Sequence, residues 1–258
     1  MIRLTFVLRR KSDLTREEFQ EYWRRRHGPL VAKHSSRLGM LRYVQVHTLD
    51  DAANEQMAEA RGGMEPPYDG VAELWWWSRE RIVEALAQTE AQDAGAELLE
   101  DERRFIDLER SPLWFAHEYP QVNATPEDIV ASERSPIVKL FYCLRHPAGR
   151  SQDEVQRYWR TAHGPLIRSI AHAGGILRYV QVHRVEDELE GSLREGRGTT
   201  TDPYFGHAEL WYDRRGGGAA IPERVRAGAL AIEDESKFID FARSAMWIAK
   251  ERVFVDLR

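Results

Sequence analysis

Cysteine is nearly absent from this chain: Cys143 is the only one in 258 residues. That excludes an intramolecular disulfide and any cysteine-rich metal site. No apolar run approaches the roughly 20 residues needed to cross a bilayer. The opening MIRLTFVLRR is short and interrupted by arginine, unlike a signal peptide. Basic charge is in deficit too, with 37 Lys and Arg against 42 Asp and Glu and a net charge of −5. That disfavours a nucleic-acid or anionic-membrane partner, which would select a basic face. No GxGxxG or P-loop supports a nucleotide, and no GxSxG elbow supports a serine hydrolase. The expectation is a cytoplasmic protein whose partner is a small molecule and which needs no cofactor.

What is present is a repeat. LRYVQVH occurs at Leu41–His47 and again at Leu177–His183, and YWRRRHGPL at Tyr22–Leu30 returns as YWRTAHGPL at Tyr158–Leu166. Both pairs share one offset, which marks a tandem duplication. The expected boundaries are residues 1–120 for the first unit, 121–135 for a polar linker, and 136–258 for the second. TPED (Thr125 to Asp128) in the linker is a candidate helix start.

Each unit reads β-α-β-β-α-β. In the first, Ile2–Arg9 alternates as a strand, with Leu4, Phe6 and Leu8 on one face and Arg3, Thr5 and Val7 on the other. Ser12 or Thr15 can cap a helix whose apolar stripe is Phe19, Tyr22, Trp23 and Leu30. Pro29 should kink or break it beside His27. Strands follow at Met40–Leu49 and Gly70–Trp76, then a helix over Arg79–Leu99 and a strand over Leu113–Tyr119. The second unit repeats this, with RRGGG after Tyr212 expected as a turn. Such a unit is the ferredoxin-like plan, with helices on one sheet face only. Two units can cover each other's bare face, sheet against sheet, so the fold class expected is α+β with an intramolecular pseudo-dimer.

YWxxxHGPL on a helix, followed by YxQxH on a strand, resembles the EthD-like family of dimeric α+β-barrel proteins, once per half. The resemblance implies one barrel from two ferredoxin-like units. It also implies small-molecule chemistry: cofactor-independent dehydration, cyclisation, isomerisation or decarboxylation, cofactor-free oxygenation of aromatics, and haem binding in some branches. Tandem fusion departs from the simplest members, so the two sites are free to differ.

The repeat nominates candidate residues. His27 and His163 would either cap the first helix or act as general acid or base. Tyr43, Gln45 and His47, with Tyr179, Gln181 and His183, share one strand face. They form either a wet pocket wall or a buried, fully bonded network. Glu73 and Glu209 lie in AELW of the next strand. If Gln45 pairs with Glu73, the carboxylate would orient His47; otherwise Glu73 pairs with Arg3, and Glu209 with Lys139. In that register His207, which replaces Val71, would neighbour His183. No metal site is expected. The connections Asp50–Pro67 and Glu186–Pro203 read as lid or binding loops ending at Tyr68 and Tyr204. Trp75 and Trp211 would line an interior, and Trp76 would pack on helices.

Weighed together, these residues favour an acid–base enzyme of lyase, dehydratase or cyclase type acting on a hydrophobic aromatic molecule. A cofactor-free monooxygenase, or a non-catalytic ligand- or haem-binding barrel with His27 or His163 as haem ligand, are the alternatives. Pairing of the fused unit into a homodimer is left open.

Overall fold

A computed structural model describes residues 1–123, 128–217 and 222–258. The candidate helix start TPED falls mostly outside them, as does Gly218 of RRGGG. The first half runs β1 (Ile2–Leu8), α1 (Arg16–Tyr22), α2 (Gly28–His34), β2 (Arg42–Thr48), α3 (Ala52–Glu59), β3 (Gly70–Trp76), α4 (Arg79–Leu86), α5 (Thr89–Glu102) and β4 (Leu113–Asn123). The second runs β5 (Ile137–Leu144), α6 (Gln152–Tyr158), α7 (Gly164–Gly174), β6 (Ile176–Val185), α8 (Glu188–Arg197), β7 (Gly206–Asp213), α9 (Pro222–Glu235) and β8 (Ala245–Asp256). No helix among the described residues is long and apolar enough to cross a membrane.

The eight strands close into one antiparallel barrel in the order β1-β3-β2-β8-β5-β7-β6-β4. Each half supplies four adjacent strands, and the halves join where β2 pairs with β8 and β4 with β6. Closure leaves no sheet edge open. The two strand faces therefore have different neighbours. Val7, Val44, Val71, Trp75 and their repeat partners pack inside the barrel. Leu4, Phe6, Tyr43 and Trp76 pack outward under the helices.

Three local expectations are corrected. Pro29 does not break the first helix. One π-helical turn, Trp23–His27, joins α1 to α2, and Pro29 is the second residue of α2. The same turn, Trp159–His163, joins α6 to α7. The expected Arg79–Leu99 helix is two helices, divided around Gln88, whose backbone is extended. Finally, the long connections are not open loops. Asp51 and Asp187 accept hydrogen bonds from Ala53 and Leu189 and so cap α3 and α8. Each of these helices crosses to the opposite half: Asn54 Oδ1 accepts from the Ile248 N–H at 2.9 Å.

The glycine of PYDG has a steric cause. A Cβ on Gly70 would lie 2.5 Å from the Trp23 ring and 2.9 Å from the Val46 carbonyl oxygen. Gly206 meets Trp159 and the Val182 carbonyl in the same way. Gly70→Ala should cost about 1–3 kcal/mol through overpacking, read by calorimetry as a Tm several degrees lower. An unchanged Tm would mean that the tryptophan has room to move.

Candidate functional site

The structure sorts the candidate residues into three places, of which the first and third share Trp159 and Tyr179. The first is a network under the helices, built identically in both halves. The Trp23 indole N–H donates to the Tyr43 hydroxyl at 3.1 Å. The Gln45 amide donates to the Trp23 carbonyl at 2.9 Å and to the Tyr43 hydroxyl at 3.0 Å. His47 Nε2 meets Gln45 Oε1 at 2.9 Å. That amide oxygen can only accept, so Nε2 carries the hydrogen. The His47 ring stacks on Trp23 at 4.8 Å. Trp159, Tyr179, Gln181 and His183 repeat every one of these contacts. Burial pushes His47 and His183 down to about 3, with Arg252 and Arg24 adding to it at His47 and Arg160 at His183. Both imidazoles are neutral and held.

The second place is the barrel interior. The register pairs Gln45 with Ala72 and Val44 with Glu73. The expected pairing of Gln45 with Glu73 is therefore off by one residue, which reverses every face. Glu73 points into the barrel while His47 points out of it, so Glu73 does not orient His47. For the same reason His207 pairs with Val182 and is not a neighbour of His183. Inside, Arg3 Nη2 donates to Glu73 at 2.5 Å and also to Glu209, and Nη1 donates to Glu118 at 2.9 Å. Lys139 reaches Glu73 at 2.8 Å, Glu209 at 3.1 Å and Glu251 at 3.2 Å. Trp75 donates to Glu118 at 2.7 Å and Trp211 to Glu251 at 2.8 Å. Burial, with the neighbouring Glu209 charge, raises the Glu73 carboxyl, while Arg3 and Lys139 pull it down. Burial opposes the charge on Glu209 too, but Arg3 and Lys139 hold that carboxyl well below its ordinary value. Burial also lowers His207 to about 3.

Among the described residues, Glu73, His207 and Glu209 place ligand atoms within 4.8 Å of one another and are the candidate metal set. Arg3 already lies 3.1 Å from His207 Nε2, and Lys139 bridges both carboxylates. The donor set is thus neutralised by fixed cations and fits an ion-pair network better than a divalent ion. Free space beside it is about 20 Å³, room for about one water. Tyr68 and Tyr204 also lie within the barrel, hydroxyl to hydroxyl at 3.2 Å, under the guanidinium groups of Arg9 and Arg145.

The third place is a pocket. His27 Nδ1 bonds Asp101 and His163 Nδ1 bonds Asp234, each at 2.8 Å. Tyr22 and Tyr158 donate to the same carboxylates at 2.6 and 2.7 Å. His163, Trp159 and Tyr179 line a cavity of about 360 Å³ between the outer sheet face of the second half and helices α7 and α9. Helix α3, from the first half, forms another wall through Ala53 and Met57, with Arg61 just beyond its end. In the first half the corresponding space is filled by Phe6, Trp76 and Leu98, with Leu189 and Leu193 of α8 packed against them. Smaller side chains open the second copy: Ala231 replaces Leu98, and Ala53 stands where the other crossing helix has Leu189.

Sequence reading missed Asp101, Asp234, Glu102, Glu235, Glu118, Glu251 and two of the pocket tyrosines, Tyr142 and Tyr212. A signal existed: EDERRFID at Glu100–Asp107 returns as EDESKFID at Glu233–Asp240. Its offset differs by three residues from the other repeats, because the second connection is shorter.

The EthD domain model matches residues 11–109 and 148–242. The chain belongs to the EthD domain family, in tandem. No curated protein sequence matches it. Among solved structures, an anthrone oxidase-like protein is similar over 100% of this chain and 94% of its own, with TM-score 0.54 and 12% identity. A Lactobacillus acidophilus NCFM protein, provisionally called a monooxygenase, covers 99% of this chain and 95% of its own, with TM-score 0.47 and 11% identity. One from Fusobacterium nucleatum subsp. nucleatum ATCC 25586, described likewise, covers 98% and 93%, with TM-score 0.48 and 7% identity.

The lyase expectation is overturned. The similar structure with TM-score 0.54 is described as anthrone oxidase-like, not as a lyase. Within this chain, the Tyr–His–Glu relay that the lyase reading required is split across two faces of the sheet.

The buried neutral histidines predict acid sensitivity. His47, His183 and His207 have folded values below the unfolded 6.5, so between about pH 6.5 and 3 the unfolded chain binds more protons. Their stabilisation is complete above that window and is lost as pH falls through it, by up to ~1.4 kcal/mol per pH unit for each group. Urea unfolding of His183→Gln from pH 4 to 7 should show a slope shallower by about one proton. An unchanged slope would refute the depressed value.

Proposed function

We propose that this protein is a cofactor-independent oxygenase with one substrate pocket, in its second half. The observation that carries the reading is His163, whose Nδ1 is held by Asp234 while the ring borders an otherwise largely apolar 360 Å³ cavity. That volume lies in the range of about 300–1,000 Å³ for small-molecule sites. Aromatic walls from Trp159, Tyr179, Tyr142 and Tyr212 suit a flat, hydrophobic aromatic ligand. With Nδ1 bonded to a carboxylate, Nε2 is the basic atom and Asp234 stabilises the imidazolium that forms on proton uptake.

The substrate class is an aromatic ring ketone with an acidic ring methylene. His163 takes one proton from that carbon, leaving a carbanion delocalised onto the ketone oxygen. Two electrons pass from this anion to molecular oxygen as the C–O bond forms, and the hydroperoxide takes up a proton. Loss of water then yields a second ketone. In balance, one ring methylene and one molecule of oxygen become one ring carbonyl and one molecule of water. The substrate itself supplies the electrons. The anthrone oxidase-like description of the similar structure with TM-score 0.54 supports this reading.

In the same proposal, the two repeats correspond to two subunits of a dimeric α+β barrel fused into one chain, over residues 1–120 and 136–258.

Oxygen uptake with anthrone as probe, corrected for spontaneous oxidation, tests the chemistry. The protein should accelerate uptake, and His163→Ala should lower the protein-dependent rate by ~100-fold or more. His27→Ala, in the filled half, should leave the rate within a few-fold. Equal losses in the two variants, or no protein-dependent uptake, would sink the proposal.

A further inference from the structure

The open pocket differs from the filled space of the first half by three polar side chains. Tyr142 stands where the first half has Phe6, Tyr212 where it has Trp76, and Arg224 where it has Ala91. All three border the cavity. Smaller side chains such as Ala231 explain the empty volume; they do not explain why polar groups were placed around it.

Tyr142 is the most telling of the three. It is 3% exposed, and its hydroxyl hydrogen has no acceptor among the described residues. A buried hydroxyl is normally satisfied, so an orphan beside a cavity points to a partner that arrives with a ligand. The nearby Arg61 can only donate, so it leaves the phenol hydrogen without an acceptor. Its guanidinium lies 5.4 Å from the Tyr142 ring centre and is paired with Glu235 at 2.8 Å.

We propose that Tyr142 is the specificity-determining residue of this pocket, its hydroxyl donating a hydrogen bond to the ketone oxygen of a bound aromatic ketone. The inference rests on reading the cavity as a substrate site, but not on the oxygen chemistry. Burial pushes the Tyr142 phenol well above its ordinary value, with the Glu235 charge adding to the effect and Arg61 opposing it, so the group is a donor at neutral pH. An aromatic hydrocarbon of the same shape would leave that donor unpaired, and a site built around a hydrogen bond rejects such an analogue. When His163 removes a ring proton, negative charge moves onto the same ketone oxygen. The Tyr142 contact then becomes charge-assisted and stronger.

Anaerobic binding separates this proposal from turnover. Tryptophan fluorescence would be titrated with anthrone and with 9,10-dihydroanthracene, which shares the ring skeleton and lacks the oxygen. Wild-type protein should bind the ketone ~5–10-fold more tightly, the worth of one neutral hydrogen bond. Tyr142→Phe should abolish that preference by weakening ketone binding alone. The variant places the residue that the first half already carries at Phe6, and the wild-type ratio is an independent reading should it misfold. Phe6→Tyr, in the filled half, should change neither affinity. Equal affinities in the wild type, equal weakening of both ligands in Tyr142→Phe, or no saturable binding would overturn the assignment. Failure of the oxygenase reading looks different: Tyr142-dependent ketone binding with no oxygen consumed.

Discussion

Closing two four-stranded sheets into one barrel traps the inward-facing charges, and their mutual neutralisation is the constraint on which the rest of the structure depends. Arg3 belongs to the first half and reaches Glu209 of the second; Lys139 of the second reaches Glu73 of the first. Neither half contains within itself all the partners of its cation. Removing one member would leave a buried charge uncompensated, which is far costlier than losing a surface pair. The same closure consumes the interior. With about 20 Å³ left beside the cluster, the barrel axis serves as a core. Room for a ligand has to come from the outer sheet face, under the helices.

That outer face explains the shared motifs. YWxxxHGPL and YxQxH form one assembly: the glutamine of the strand bonds the carbonyl of the helix tryptophan, and the histidine stacks on its ring. The π-helical turn ends where Gly28 donates back to the Trp23 carbonyl, so this one carbonyl receives both the backbone and Gln45. The assembly fixes the first helix against the sheet and aims His27 and His163 at their aspartates. The signature residues hold the frame, and in the second half Trp159, His163 and Tyr179 also border the cavity.

The strands, in their order along the chain, and the duplication were legible in the sequence because alternation and repeat spacing report them directly. The Arg3–Glu73 pair was also readable, since both lie at matching parity on neighbouring strands. Which face of LRYVQVH turned inward was not. A strand flanked by a closed barrel on one side and helices on the other is buried on both faces, so polarity does not mark the outside. A register one residue out then carried Glu73 to the wrong side of His47. Helices α3 and α8 were missed for a related reason. They bury themselves against the opposite half, so their apolar positions make sense only once the halves are brought together. The open pocket was hidden because it arises from differences such as Leu98 to Ala231, whereas the motifs were found as identities.

Helix α3 has one more consequence. It starts in the first repeat and walls the pocket of the second, so a change on it alters one pocket and leaves the other copy untouched. In a symmetric pair of identical chains, every substitution is made twice, and a residue that fills one cavity must fill both. Covalent fusion removes that obligation. One copy can become a solid brace while the other remains hollow, and stability and recognition can then be adjusted in separate stretches of the same chain.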